Sequence, residues 1–185
     1  MQKNHHLKET WKENKASKVA GCFTRQESEY QKLFKHSFGN GSYKIGRVLE
    51  IGAGTGDFAA YLLDNHLISS YTILDIERSM GALKHRLEGY ENVEFIYSFE
   101  YEKIFEKEYD LLVSIQCLSE TPPYYSDNIF SNIKVSNTFI IDGNPDMLEF
   151  DKRLLEFTET YSQMRIIQTD VNEGKLYMGS NESVS

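Results

Sequence analysis

The chain has 185 residues, of which 40% are hydrophobic, 26% are charged and only three are proline. This is the composition of one globular domain, and it excludes wholesale disorder, collagen-like repeats and low-complexity architectures. The formal net charge of -8 argues against a protein that binds bare nucleic acid, because phosphate contacts need clustered lysine and arginine. Two cysteines, a polar N-terminus and no apolar run approaching about 20 residues predict a cytoplasmic protein without membrane spans.

The N-terminal segment differs in charge from the rest of the chain. Residues 1–36 hold eight lysines and arginines against four acids, whereas the remainder holds twelve against twenty-four. We predict a helical arm over residues 1–44, ending in the breaker cluster at residues 39–42, and one domain over residues 45–185. The aromatic side of the arm is expected to pack on a sheet edge, with a lid over the ligand as the alternative.

Short apolar runs alternate with amphipathic helical segments through the centre of the chain. The predicted strands are Arg47–Ile51, Tyr71–Asp75, Val93–Tyr97, Tyr109–Ile115 and Thr138–Asp142. The predicted helices are Asp57–Asn65, Ser79–Leu87 and Pro145–Thr158. Strands that alternate with helices pair in parallel, because parallel neighbours need long crossover connections. The pattern predicts a doubly wound α/β sheet with helices on both faces.

The C-terminal segment breaks this alternation. Met164–Gln168 and Lys175–Met178 both resemble strands, and only residues 169–174 separate them. A connection this short permits only an antiparallel hairpin. We therefore predict a Rossmann-like sheet of seven strands, in which five are parallel and the last two form the hairpin.

The strongest motif is a glycine-rich turn that follows the first strand. Gly52, Gly54 and Gly56 alternate there, and glycine lets a ligand approach the main chain closely. A dinucleotide site prefers Gly-x-Gly-x-x-Gly, but Asp57 stands in its last position. Glu50 would also face a pyrophosphate unfavourably. The turn therefore suits a cationic ligand without phosphate, and an NAD-dependent oxidoreductase is disfavoured.

The Glu-x-Gly-x-Gly-x-Gly motif, the acid Asp75 at the end of the second strand and the terminal hairpin resemble class I S-adenosylmethionine-dependent methyltransferases. The resemblance spans roughly residues 45–180 and implies S-adenosylmethionine as cofactor, with S-adenosylhomocysteine as product. Glu50 would anchor the methionine ammonium, and Asp75 would bind the ribose hydroxyls. The implied cofactor contacts are Glu50, Gly52, Ala53, Gly54, Gly56, Asp75, Ile76, Ser98, Phe99, Ile115 and Gln116.

Two parts of this assignment have alternatives. The glycine turn could simply pack a helix on a strand, and Asp75 could cap the helix that follows it. Many relatives also carry an acid after the third strand for the adenine amino group, whereas this chain has Ser98 and Phe99. Ser98 would accept that hydrogen bond instead, and Phe99 would stack on the ring.

The segment after the fourth strand resembles sugar O-methyltransferases over about a dozen residues, from Ser114 to Tyr125. A sugar hydroxyl needs a general base, for which Glu120 is the first candidate and Asp142 the second. Tyr124 and His36 are the candidate acceptor contacts. The competing interpretations are that Glu120 caps a helix starting around Pro122 and that Asp142 belongs to a turn or a helix cap.

Other functions remain open at this stage. Thr121-Pro-Pro-Tyr124 is similar to the Asn/Asp-Pro-Pro-Tyr loop of N-methyltransferases, although Thr121 offers no amide and the motif starts late. Its prolines could also be a loop stiffener that stops a helix. A non-catalytic S-adenosylmethionine-binding regulatory protein is the third reading. The expected acceptor is a small molecule, such as a sugar, polyol or nucleotide sugar.

The remaining expectations concern metals, thiols and partners. The five histidines lack metal-ligand spacing, so no metal is predicted. Cys22 and Cys117 are expected to be small buried apolar groups. No nucleic-acid or membrane partner is expected, and a homodimer is left open.

Overall fold

The computed structural model describes residues 23–39, 44–142, 148–168 and 175–181. The helices are α1 (Phe23–Phe38), α2 (Asp57–Asn65), α3 (Glu77–Arg86), α4 (Pro123–Asn132) and α5 (Leu148–Thr158). The strands are β1 (Lys44–Ile51), β2 (Leu67–Asp75), β3 (Val93–Tyr97), β4 (Glu108–Ile115), β5 (Lys134–Asp142), β6 (Gln163–Gln168) and β7 (Lys175–Ser180). Two 3₁₀ segments, Ser98–Glu106 and Leu118–Glu120, flank β4.

The strands form one seven-stranded sheet in the order β3-β2-β1-β4-β5-β7-β6. The first five strands pair in parallel, and β7 pairs antiparallel with both β5 and β6. The predicted seven-stranded sheet with a C-terminal hairpin is confirmed. The hairpin adds its second strand next to β5, which leaves β6 at the sheet edge.

Four parallel strands begin earlier than the sequence predicted, β4 by one residue and the other three by more. The strands β1, β2 and β5 start at Lys44, Leu67 and Lys134, three to four residues before the apolar runs. Their burial patterns explain the difference, because the amino halves are exposed or half-buried except at Gly46 and the carboxyl halves are continuously buried. Apolar runs therefore mark only the buried half of each strand. The buried halves all lead to the same edge of the sheet.

Helices cover both faces of the sheet, each over its own hydrophobic cluster. One cluster includes Phe34, Phe58, Leu83 and Phe139, from α1, α2, α3 and β5. The other face carries a second cluster with residues of α4 and α5, including Ile129 and Leu154. The expected layer architecture is therefore present.

The described part of the N-terminal arm belongs to the core. Phe34 of α1 is fully buried, with ring centroids 5.8 Å from Phe58 and 5.1 Å from Phe139. Because β5 lies inside the sheet, α1 packs on a sheet face rather than on a sheet edge, which corrects the expected packing. Residues 1–22 and 40–43 of the predicted arm lie outside the described residues. Among the described residues, no helix combines the length and apolar character that crossing a bilayer requires.

Candidate functional site

The turn after β1 has a backbone that only glycine adopts easily. Gly52, Gly54 and Gly56 have φ angles of +77°, +58° and +82°. The amide of Gly52 donates to the carbonyl of Leu74 in β2, and the amide of Gly56 donates to that of Ala53, both at 2.9 Å. Gly56 then caps α2. The left-handed turn therefore brings backbone atoms of residues 52–56 to the carboxyl ends of β1 and β2.

Asp75 ends β2 beside this turn and is 4% exposed. One carboxylate oxygen accepts from the amide of Gly54 at 3.1 Å, and the other accepts from the amide of Ile76 at 2.6 Å. Burial raises the pKa of Asp75 to about 6, although hydrogen bonds from backbone amides oppose the rise. Ile76, not Asp75, occupies the N-cap position of α3, which argues against the capping alternative.

A second buried carboxylate lies one strand away. Glu50 of β1 is 2% exposed, and its Oε2 accepts a hydrogen bond of 2.7 Å from the hydroxyl of Tyr71. Burial and the negative charge of Glu50 raise the pKa of Tyr71 well above its usual value. Tyr71 therefore stays protonated and acts as the donor in this pair. The sequence assigned a role to Glu50 and missed Tyr71.

The candidate adenine contacts follow β3 at the same sheet edge. Asp75 and Tyr97 are register partners at the ends of β2 and β3, and Ser98 and Phe99 come directly after them. Both residues are half-buried, as is Ile76 after β2. The ring of Phe99 stacks on Tyr97 at a centroid distance of 5.4 Å. The expected adenine stacking would therefore extend an existing aromatic pair.

The chain leaves β4 through an unusual backbone conformation. Ile115 is buried at the end of the strand, and Gln116 has a φ of +48°, a positive value that no other non-glycine among the described residues shows. The amide of Gln116 donates to the carbonyl of Ile141 in β5 at 2.7 Å. Such strained residues cluster at functional sites, where the surrounding structure enforces them. Gln116 directs the next residue back towards the glycine turn.

That next residue is Cys117, which the sequence predicts only as a small buried apolar group. A Cβ atom on Gly52 would lie 2.2 Å from the Cys117 sulfur, so the thiol occupies the space that glycine leaves open. The pKa of Cys117 is raised well above its usual value by burial, and then by Asp75, Asp142, Glu120 and Glu50. Acids from four segments therefore act on one thiol.

The signal that could have found Cys117 is its register. Cys117 lies two residues after the end of β4 and Gly52 lies one residue after the end of β1, and these two strands are parallel neighbours. Residues within a few positions of the ends of parallel neighbours lie at the same sheet edge.

The two candidate general bases differ in exposure. Asp142 at the end of β5 is 1% exposed, and its carboxylate accepts from the amide of Ser119 at 3.0 Å. Glu120 is the next residue of that 3₁₀ turn and is exposed. Tyr124 on α4 is 44% exposed. Asp142 therefore anchors the 3₁₀ turn on which Glu120 is exposed.

The Thr-Pro-Pro-Tyr loop begins a helix. Pro122 is the N-cap and Pro123 the first residue of α4, where proline is well tolerated. The expectation that these prolines stop a helix is thus wrong, and Glu120 does not cap α4. The hydroxyl of Thr121 donates to the carbonyl of Leu118 at 2.6 Å. Thr121 is therefore committed to its own backbone.

His36 lies at the other end of the molecule. It is exposed near the end of α1, the helix that leads into β1. The neighbouring Phe34 packs on His66 at 5.6 Å, and His66 directly precedes β2. Those contacts place His36 near the amino ends of the strands, which argues against its assignment to the acceptor pocket. Within the described part of the chain, no three His, Cys, Asp or Glu side chains could hold a metal ion.

Comparisons with known proteins match this arrangement. Residues 49–134, just under half of the chain, match the family described as a methyltransferase domain. No curated protein matches the chain by sequence.

Three solved structures share the fold. DhpI in complex with S-adenosylhomocysteine is 18% identical with a TM-score of 0.62, over 96% of this chain and 99% of that one. The N-methyltransferase NodS from Bradyrhizobium japonicum, also with S-adenosylhomocysteine, is 15% identical with a TM-score of 0.58, over 86% and 87%. An O-methyltransferase family protein from Burkholderia thailandensis is 13% identical with a TM-score of 0.58, over 86% and 58%.

The chain therefore carries a methyltransferase domain over residues 49–134, on a seven-stranded fold that it shares with the three solved structures above. It is an enzyme, and S-adenosylmethionine is its methyl donor. The donor set at the strand ends fits this cofactor: Glu50 and Asp75 are buried acids, and the positive-φ glycine turn lies at the same sheet edge. A buried carboxylate suits an ammonium or a pair of hydroxyls, but not a phosphate.

Proposed function

We propose that the enzyme methylates a hydroxyl of a neutral small molecule, such as a sugar or another polyol. The observation that carries this proposal is the exposed carboxylate of Glu120 on the Leu118–Glu120 turn, which the amide of Ser119 ties to buried Asp142 at the carboxyl end of β5. In this fold, ligands bind outside the carboxyl ends of the strands. An acid in that position suits an acceptor that must lose a proton.

The cofactor would lie across the ends of β1, β2, β3 and β4. Asp75 would accept hydrogen bonds from the ribose hydroxyls, and Glu50 would receive the ammonium group. Gly52, Ala53, Gly54 and Gly56 would line the methionine and ribose through their backbone. The adenine would lie by Ile76, Ser98 and Phe99, and the methionine by Ile115 and Gln116, because these residues follow the neighbouring strand ends.

When bound, S-adenosylmethionine supplies an electrophilic methyl group on a positively charged sulfur. The chain's own contribution is to align the acceptor and to accept its proton. Glu120 would take the hydroxyl proton as the new carbon–oxygen bond forms and the carbon–sulfur bond breaks, leaving a methyl ether and S-adenosylhomocysteine. Alignment of the reactants supplies effective molarities of about 10⁵ M or more, and a general base adds roughly 10²–10⁴-fold.

The charge at this sheet edge favours a neutral acceptor over a nucleotide sugar. Glu50, Asp75, Glu120 and Asp142 all bear on Cys117, so the negative potential there is substantial. Lys175 lies opposite Asp142 in the β5–β7 register, and its ammonium is bonded to Asp151 at 2.7 Å. A phosphorylated acceptor would meet repulsion from these acids.

Two alternatives receive less support. N-methylation through the Thr121 loop would need that side chain for the acceptor, but its hydroxyl is bonded to Leu118. A plugged, non-catalytic site would need aromatic residues of the arm over Glu120 and Tyr124. The arm residues Tyr30 and Phe34 are instead buried in the core on one sheet face.

A methyl-transfer screen tests the proposal. Purified protein would be incubated with S-adenosylmethionine labelled in its methyl group and with separate panels of neutral sugars and polyols, nucleotide sugars, and amines. We expect label to appear in a neutral hydroxyl compound, with a mass increase of one methylene group. Transfer confined to amines or to nucleotide sugars would contradict the proposed acceptor class.

A further inference from the structure

The pair of Glu50 and Tyr71 is set apart by its complete burial. The two side chains come from neighbouring strands, and their hydrogen bond measures 2.7 Å. Tyr71 is 0% exposed and Glu50 is 2% exposed. Desolvating a carboxylate is costly unless donors compensate it. Here a neutral hydroxyl provides one donor and leaves the negative charge in place.

The sheet register explains how the two groups meet. Val48 is the register partner of Tyr71, and Glu50 is two residues further along β1. In a pleated strand, residues two apart face the same side, and a long side chain can reach a diagonal neighbour. The tyrosine therefore reaches towards the carboxyl end of the sheet, where the glycine turn begins at Gly52.

We propose that Tyr71 is a positioning residue, whose hydroxyl holds the Glu50 carboxylate in the orientation that receives the ammonium group of the cofactor. This inference rests on the proposed role of Glu50 in cofactor binding. Tyr71 contacts Glu50 rather than the reacting atoms, so it acts on affinity for the amino-acid part of the cofactor. A neutral donor suits this task, because a cationic partner would repel the incoming ammonium.

Two probes separate positioning from general stability. S-Adenosylhomocysteine carries the ammonium group, whereas 5′-methylthioadenosine has the same adenosine and thioether but no amino-acid part. Both would be titrated calorimetrically into the wild type and Tyr71→Phe. We expect Tyr71→Phe to bind S-adenosylhomocysteine roughly tenfold more weakly, the loss of one charge-assisted hydrogen bond. The affinity for 5′-methylthioadenosine should stay within about twofold.

A matched control is Tyr161→Phe, which removes the hydroxyl of another buried tyrosine, one packed on Phe157. It should leave both affinities unchanged. Glu50→Gln should show the same selective loss as Tyr71→Phe, and combining the two changes should add little. If Tyr71→Phe does not fold, undiminished binding of S-adenosylhomocysteine by Glu50→Gln would still overturn the inference.

Each failure has a distinct signature. Equal losses for the two probes in Tyr71→Phe would mean a merely structural role and would overturn the inference alone. Undiminished binding of S-adenosylhomocysteine would overturn it as well. Failure of the folded wild type to bind S-adenosylhomocysteine would overturn both the cofactor assignment and the inference.

Discussion

The amide of Gly54 donates a hydrogen bond of 3.1 Å to a carboxylate oxygen of Asp75. This contact joins the glycine turn after β1 to the end of β2, although 21 residues separate the two positions in sequence. It brings the backbone of the glycine turn and a buried acid to the same point. The cofactor assignment depends on this junction, and its protonation gives the first prediction.

Cofactor affinity should depend on the protonation of Asp75. Burial raises its pKa from 3.8 to about 6, so the free protein is largely protonated there at pH 5 and ionised at pH 7. Ribose hydroxyls bind best to the ionised form. Calorimetry should therefore show S-adenosylhomocysteine binding about tenfold more weakly at pH 5 than at pH 7, with proton release on binding near pH 6.

Stability without ligand should change in the opposite direction. Because the pKa is raised in the folded state, the contribution of Asp75 to stability decreases as the pH rises from 3.8 to about 6.

Asp75→Asn should lose the pH dependence of binding, whereas Asp110→Asn, which alters an acid bonded to Arg47 on the exposed half of the sheet, should retain it. A pH profile that survives in Asp75→Asn would show that another group titrates.

Turnover should depend on Glu120 but not on a comparable acid at the opposite edge. Glu120→Gln should preserve cofactor binding and slow methyl transfer by roughly 10²-fold or more, because the proton acceptor is lost. Glu108 starts β4, and Glu108→Gln is the matched control, which should have wild-type turnover. The two variants would be compared in the methyl-transfer assay on the identified acceptor. Wild-type turnover of Glu120→Gln would refute its role as the base.

Asp142 should prove structural rather than chemical. Asp142→Ala leaves the Ser119 amide without its acceptor, which should reduce the free energy of unfolding by about 1–3 kcal/mol. Asp142→Asn keeps an acceptor oxygen and should retain most of the stability and turnover. Thermal unfolding and the transfer assay measure both effects. A stable Asp142→Asn without activity would instead favour Asp142 as the base.

The contact between Gly52 and Cys117 should be intolerant of added atoms. Gly52→Ala combines a positive φ with an overlap at the Cys117 side chain, so we expect a loss of about 2 kcal/mol or more in stability. Adding Cys117→Gly removes the overlap. The loss in the free energy of unfolding of the double variant should therefore be smaller than the sum of the losses of the two single variants. Chemical denaturation gives these values.

Gly81→Ala is the control for the glycine contact. Gly81 lies inside α3 with open space around it, so alanine should be neutral or stabilising by up to about 1 kcal/mol. If the stability loss of the double variant Gly52→Ala/Cys117→Gly equals the sum of the two single losses, positions 52 and 117 do not interact.

The α1 helix should contribute to the stability of the domain. Phe34→Ala removes a fully buried ring from a cluster with Phe58 and Phe139, and we expect a loss of roughly 3–5 kcal/mol. Equilibrium unfolding in denaturant measures this loss. Lys32 is an exposed residue of the same helix, and Lys32→Ala should change stability little. A small change in the free energy of unfolding in Phe34→Ala would instead indicate that α1 is a peripheral lid.

The sequence predicted the sheet well because the buried carboxyl halves of its parallel strands consist largely of apolar residues in continuous runs. Val93–Tyr97 and Asp57–Asn65 have the predicted bounds, and every parallel strand ends where it was expected to end. The amino halves were missed because their residues are exposed there and follow no apolar period. The carboxyl ends, where we propose that the ligand binds, were therefore the more predictable half.

The site was predictable only where local motifs carry it. Glu50, Gly52 and Asp75 belong to such motifs, and the structure brings them to one sheet edge. Tyr71 and Cys117 were missed because their roles depend on contacts between distant segments. The position of His36 near the end of α1 argues against its assignment to the acceptor pocket, and no sequence motif indicated where α1 would place it.

The most direct test of the central claim is a calorimetric titration of the purified protein with S-adenosylhomocysteine, with NAD as the control ligand. We predict one binding site with micromolar affinity for S-adenosylhomocysteine, a large loss in Asp75→Ala and no binding of NAD. Folding would be verified by circular dichroism in each case. A folded protein that fails to bind S-adenosylhomocysteine, or that binds NAD at the same site, would contradict the account.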